Sequence, residues 1–156
     1  MRNNNSNTSV LLRLKKEEKE YLCSLAKTNG KTIEQYIKDI LSIAAEKDYK
    51  KTEVFSIVKD CLIKIRDKIG GNFKRGIIYG SYARGDFRND SDVDLLVLLE
   101  NTSAETESDI ISIICDFNTD YNIYISPVVL DEITFNGMDY GVYRNIKKEG
   151  VLVYGE

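Results

Sequence analysis

The sequence predicts an α+β protein: a small mixed sheet with flanking helices, preceded by an amino-terminal strand-helix-helix dimerisation module. Three observations point there. Apolar runs of strand length, Ile77-Ile78-Tyr79, Leu95 to Leu99 and Tyr121 to Leu130, alternate with apolar stripes of helical period. A small-residue turn at Gly80-Ser81 and two carboxylates two positions apart, Asp92 and Asp94, fall between the first two of those runs. Charge also divides the chain. Residues 1–51 carry eleven Lys and Arg against seven Asp and Glu, a net of +4, and the other residues carry eleven against eighteen, a net of −7.

The amino-terminal elements follow in order. Residues 1–7 are polar and Asn-rich, which predicts a disordered tail. A module over 8–47 comes next. Its strand, residues 8–14, places Val10, Leu12 and Leu14 on one face and Ser9, Leu11 and Arg13 on the other. A first helix carries the stripe Tyr21, Leu22, Leu25 and Ala26 and stops at Asn29-Gly30. Thr32 caps a second helix, with Glu34 in its first turn and Ile33, Tyr36, Ile37, Ile40, Leu41 and Ala44 on its apolar face. One short strand and two short helices bury little apolar surface, so the module predicts a homodimer in which each strand pairs with its twin.

The second domain is expected over 52–156. Glu46 to Lys51 is a charged stretch that is either a linker or part of a continuous helix. Thr52 is expected to cap a helix whose stripe is Val54, Ile57, Val58, Cys61, Leu62, Ile65 and Ile69, stopped by Gly70-Gly71. A strand over 76–80, a helix beginning near 82 and a strand over 92–99 follow. Then come a helix carrying Ile110, Ile111, Ile113 and Ile114, a strand over 121–130, a last helix over 140–149 and an edge strand over 151–154. Cys23, Cys61 and Cys115 are odd in number, far apart and within helical patterns, which predicts buried thiols. The chain has no histidine, which excludes His-based acid–base catalysis and His ligands. Any metal would be held by oxygen or thiolate, which favours Mg²⁺ or Mn²⁺. No apolar run approaches the ~20 residues that span a bilayer, and the polar start shows no secretory leader, so a cytoplasmic protein without a membrane role is expected.

The chemistry concentrates at Gly80-Ser81 and Asp92-Val93-Asp94. Gly80 lacks a Cβ, so its backbone can turn sharply and come close to a phosphate, and Ser81 adds a hydroxyl donor. Arg84 offers a planar cationic fork for phosphate oxygens. Residues two apart on a strand share a face, so the carboxylates of Asp92 and Asp94 can converge while Val93 points to the core. Two carboxylates with phosphate oxygens and waters suit Mg²⁺. Tyr79, Tyr82 and Tyr124 are expected near the site, either to stack on a base or to serve packing. Arg144, Lys147 and Lys148 face either solvent or a ligand.

Gly80-Ser81-x-Ala83-Arg84-Gly85 followed by Ser91-Asp92-x-Asp94-Leu95 resembles the DNA polymerase β-like nucleotidyltransferases, and within them the minimal nucleotidyltransferases. Ile125 to Leu130 and Tyr143 to Gly150 extend the resemblance, which covers about residues 54–156. It implies transfer of a nucleoside monophosphate from a triphosphate, ATP being expected, with release of pyrophosphate. Gly80, Ser81 and Arg84 would hold the triphosphate; Asp92 and Asp94 would be the catalytic, metal-binding pair. The family commonly carries a third carboxylate about two residues before the Ser-Pro, where this chain has Tyr124. Two readings follow: an active transferase, or a DNA-binding regulator whose second domain senses nucleotide without catalysis.

The front module resembles the ribbon-helix-helix DNA-binding proteins through Val10 to Leu14, Glu17-Glu18, Ala26-x-x-Asn29-Gly30-Lys31-Thr32 and Tyr36-Ile37. That resemblance implies a two-stranded ribbon in the major groove of operator DNA, with Ser9, Leu11 and Arg13 facing bases and the helix start at Thr32 holding a backbone phosphate. Leu11 departs from the polar residue usual there. Together the two resemblances suggest an antitoxin-like autoregulator whose acceptor is a partner toxin protein. A module that only dimerises is the alternative.

Overall fold

The computed structural model describes residues 11–155. The chain divides into two compact units, with the boundary between Lys47 and Asp48. In the first unit, α1 (Lys16–Thr28) opens with the Lys15 N–H donating to Glu18 Oε2 at 2.8 Å and ends before Gly30, whose φ of +65° is the left-handed turn glycine permits. The next helix, α2 (Ile33–Ile69), starts as the sequence predicts. The Gln35 N–H donates to Thr32 Oγ1 at 3.2 Å, and Gln35 Oε1 accepts from the Thr32 N–H at 3.0 Å.

Several expectations for this front third are corrected. Residues 11–15 form no strand, since no other described segment pairs with them; residues 8–10 of the expected strand, Ser9 among them, lie outside the described residues. Leu11 is exposed, and so are Tyr21, Ile40 and Leu41 from the two predicted apolar faces; among the described residues of this unit only Ala26 is buried. Thr52 caps nothing. It lies inside α2 and its Oγ1 donates back to the Asp48 carbonyl at 2.9 Å.

The second unit is a four-stranded mixed sheet with helices on both faces. Its strands are β1 (Phe73–Ile78), β2 (Val93–Leu99), β3 (Ile125–Asp131) and β4 (Val151–Gly155), in the spatial order β3-β2-β1-β4. The pairs β1–β2 and β1–β4 are antiparallel; β2–β3 is parallel, with α4 (Ala104–Tyr121) between them in sequence. The run Leu95 to Leu99 is wholly buried because both faces of β2 are covered. One face packs Val93, Leu95, Val97 and Leu99 with Val58, Cys61, Leu62 and Ile65 of α2 and Ile110 and Ile114 of α4. The opposite face packs Leu96 and Leu98 with Phe135 and Ile146. These come from α5 (Glu132–Gly137) and α6 (Gly141–Glu149). Gly76 is required beneath α2, since a Cβ there would lie 2.4 Å from the Leu62 methyls.

Boundaries shift from the sequence expectation in particular places. The first strand starts at Phe73 and ends before Tyr79, and Gly80 opens the short helix α3 (Gly80–Arg84). Tyr121 belongs to α4, because Asn122 takes the left-handed conformation (φ +49°) and ends that helix, leaving the strand to begin at Ile125. The helix α5 was not foreseen. Of the cysteines, Cys61 is buried, Cys23 half-buried and Cys115 exposed, since Cys115 falls beside rather than on the Ile110, Ile114, Phe117 stripe of α4.

Candidate active site

The site forms where β1 ends and β2 begins. Alternation along β2 sets Asp94 on the face of Leu96 and Leu98, the side that carries α5 and α6. The Tyr79 N–H donates to the Asp94 carbonyl at 3.0 Å, and this backbone bond brings the α3 turn alongside Asp94. Gly80 has φ +67°, and a Cβ built on it would sit 2.1 Å from Asp94 Oδ2. The carboxylate therefore rests against the bare Cα of Gly80, in space that any other residue would fill.

Asp92 reaches the same end of the sheet from the loop that follows α3. That loop is fixed by the Arg88 N–H donating to Ser91 Oγ at 2.8 Å and by Lys50 Nζ donating to the Asn89 carbonyl at 3.0 Å. Below it, Tyr82 and Phe87 are buried and stacked with ring centroids 4.2 Å apart. Tyr82 thus serves packing. Asp92 is exposed and Asp94 partly so. Burial is the main cause that pushes the Asp94 carboxyl above its ordinary range; the neighbouring charge of Asp92 adds to it, and Arg84 opposes it. Tyr79 is raised as well, by burial first, then by the charge of Asp94 and by Tyr143.

Arg84 is engaged at both ends. Its Nε donates to Asp86 Oδ2 and its Nη1 to Glu149 Oε1, both at 3.2 Å, which ties α3 to the end of α6. It is held beside the site rather than presented as an open fork. Nothing in the sequence spacing pointed to Glu149. Arg144 and Lys147 also have protein partners. Arg144 Nη2 donates to the Asp139 carbonyl at 2.6 Å, and Lys147 Nζ to the Asn136 and Met138 carbonyls at 2.9 and 2.5 Å. They hold the α5–α6 connection.

On the other flank β3 runs parallel to β2 in the register Val93↔Ile125 and Asp94↔Ser126. Ser126 is therefore the strand neighbour of Asp94, and Tyr124 stands one step before Ile125, beside Asp92. Tyr124, which the resemblance sets at the family's third-carboxylate position, thus lies at the head of β3, its carbonyl accepting from the Val93 N–H at 2.8 Å. Among the described residues no group of three or more acidic, cysteine or histidine side chains gathers to hold a metal. Asp92 and Asp94 still fit Mg²⁺. They are two like charges held together by the fold, with an oxygen-only donor set, and Mg²⁺ completes its shell from water and phosphate.

In the front unit, Leu11 and Arg13 are exposed, and the Thr32 hydroxyl is occupied as the cap of α2. Among the described residues no helix is long and apolar enough to cross a membrane.

Comparison with known proteins bears on the fold and the family. Two Methanocaldococcus jannaschii proteins, each named "Putative protein adenylyltransferase", are similar to this chain. One is 29% identical over 99 residues, 62% of this chain and 94% of the relative. The other is 36% identical over 78 residues, 49% of this chain and 79% of the relative. The fold resembles a crystal structure from Sulfolobus solfataricus described as a "putative nucleotidyltransferase". Its TM-score is 0.51 at 21% identity, over 70% of this chain and 87% of that one. The model of the nucleotidyltransferase domain family matches residues 61–153, from the last third of α2 into β4, and the chain belongs to that family.

Proposed function

We propose that the second unit transfers AMP from ATP to a hydroxyl group of a partner protein, with Mg²⁺ held between Asp92 and Asp94 and the triphosphate received at Gly80-Ser81. The observation that carries this is the seat of the Asp94 carboxylate against the Gly80 Cα. One residue lies at the turn and the other on the strand, and their contact makes a single place where phosphate and metal can meet. The metal, when bound, would polarise the α-phosphate and neutralise charge on the leaving pyrophosphate. The chain's own residues orient the ligand. Ser81 offers a hydroxyl, and Arg84, clamped by Asp86 and Glu149, keeps α3 in place. A protein acceptor is supported by the names of the two archaeal relatives.

The test uses ATP labelled on its α-phosphate, Mg²⁺ and candidate partner proteins. Label should reach the partner with wild-type protein and vanish with Asp92→Asn. Nucleotide binding without transfer would instead support the second reading, a nucleotide sensor, which Tyr124 in the position of a carboxylate favours.

The front unit completes the reading as an operator-binding homodimer, and the whole chain as an antitoxin-like autoregulator acting on a toxin partner. Its support is the residue pattern of α1 and α2, the net charge of +4 over residues 1–51, and the exposed Leu11, Leu12, Ile40, Leu41 and Ile43, which a second copy would cover. Arg13→Ala should then cost about 1–3 kcal/mol of base discrimination; unchanged affinity for the DNA upstream of the coding sequence would leave dimerisation as the module's role.

A further inference from the structure

We propose that Tyr124 is itself an adenylyl acceptor, so that the protein modifies its own chain at the mouth of the site; this rests on the transferase reading above. The backbone of Tyr124 is pinned beside the carboxylates. Its carbonyl accepts from the Val93 N–H at 2.8 Å, and the next residue's N–H donates to Asn118 Oδ1 at 2.9 Å. Alternation along β3 puts Val128 and Leu130 against Leu96 and Leu98. The same parity places Tyr124 and Ser126 on the face that carries Asp92 and Asp94. Neighbouring strands lie about 4.8 Å apart, and Asp92 and Tyr124 each stand one residue before the first ladder pair, Val93↔Ile125. Both line one open cavity of about 370 Å³ at the head of β2 and β3, with Lys50, Tyr82 and Asn122; Asp92 is the member of the proposed site that faces it, and Gly80, Ser81 and Asp94 are not part of its lining.

Three tyrosines near the site differ in availability. Tyr82 is buried under its stack on Phe87, and Tyr79 is half-buried beside Tyr143. Tyr124 is 62% exposed, and no described residue hydrogen-bonds its hydroxyl. It is the phenol that is free, tethered and next to a carboxylate of the proposed metal pair. Tethering replaces an encounter between two molecules with a positioned group, which raises its effective concentration strongly.

The step balances as follows. The Tyr124 Oη attacks the α-phosphorus of ATP and an Oη–P bond forms. The bond from that phosphorus to the oxygen bridging to the β-phosphate breaks. Pyrophosphate leaves with the electron pair, and the phenolic proton passes to water in the open cavity. The product is AMP joined to Tyr124 through a phosphodiester.

The full chain, incubated with Mg²⁺ and ATP labelled on its α-phosphate, should gain one AMP per molecule, mapped by peptide mass spectrometry to Tyr124. Tyr124→Phe should lose the label at least tenfold with an unchanged melting temperature. Tyr121→Phe, which removes another exposed phenol three residues away, should keep it. Calorimetry with a non-hydrolysable ATP analogue and Mg²⁺ separates the two levels. Uptake of the analogue without label, or label on another residue, overturns self-modification alone. No uptake overturns both this proposal and the transferase reading.

Discussion

Gly80→Ala separates what holds the fold from what holds the site. The new methyl would lie 2.1 Å from Asp94 Oδ2, where ordinary contact begins near 3.4 Å, so the carboxylate must move by 1.3 Å or the backbone must yield. The blocking atom is the end of a partly exposed side chain that can rotate, so relief is cheap for folding. What remains is the left-handed φ of +67°, which costs an alanine about 1–2 kcal/mol. For a chain of this size that is a fall of roughly 2–8 °C in melting temperature. Function has no such relief. A displacement of about 1 Å in a positioned group can cost about 10²-fold, and here the displaced group is one of only two proposed metal ligands. Initial rates of label transfer, beside circular dichroism melts of the same preparation, read both quantities. A folded Gly80→Ala protein with transfer within a few fold of wild type would refute the claim that the glycine turn and Asp94 form one working site.

Asp94→Asn makes a second test, with its sign set by the raised carboxyl. The folded state binds that proton more tightly than the unfolded state does, so this group's contribution to stability is fully present at acid pH and is lost as pH rises through the folded-state value. The asparagine variant is neutral throughout. It should melt above wild type near pH 7 without metal, with the gap closing on acidification; a lower melting temperature near neutrality contradicts the assignment. Mg²⁺ with a non-hydrolysable ATP analogue should raise the melting temperature of wild type and leave Asp94→Asn unmoved. Leu62→Ala opens a cavity under Gly76 and should cost about 2–5 kcal/mol in urea unfolding; a loss below 1 kcal/mol would mean that α2 does not seal this face of the sheet. Burial pushes the Cys61 thiol up to about 12. Iodoacetamide should therefore label exposed Cys115 in the native protein and Cys61 only after unfolding, and early labelling of Cys61 would count against the packing described.

The central strand and the placement of its aspartates were readable in the chain. Leu95 to Leu99 is too short for a helix and too apolar for a surface strand, and an Asp two positions from another at its head must share a face with it. The turn at Gly80-Ser81 was equally plain. Features set by long-range contacts were not. Nothing near Arg84 announces Glu149, sixty-five residues away. The six-residue helix α5 is too short to show a period, and it is held by an ion pair from Arg75 of β1 to Glu132 rather than by its own pattern. Thr52 was misread because a threonine before an apolar stripe can cap a helix or sit within one; the charged residues before it are good helix formers and carry α2 through. Cys115 turned outward because the phase of α4 follows Ile110, Ile114 and Phe117. Of the strand expected over residues 8–14, the described part, residues 11–14, is not a strand.

Crystals grown with Mn²⁺ and a non-hydrolysable ATP analogue provide the most direct test, through anomalous scattering from the metal. The account predicts a peak between the side chains of Asp92 and Asp94, within coordination distance of an oxygen of each, with phosphate oxygens completing the shell above Gly80-Ser81. A nucleotide bound with no metal at these two carboxylates, or a metal peak at another place on the chain, would contradict it.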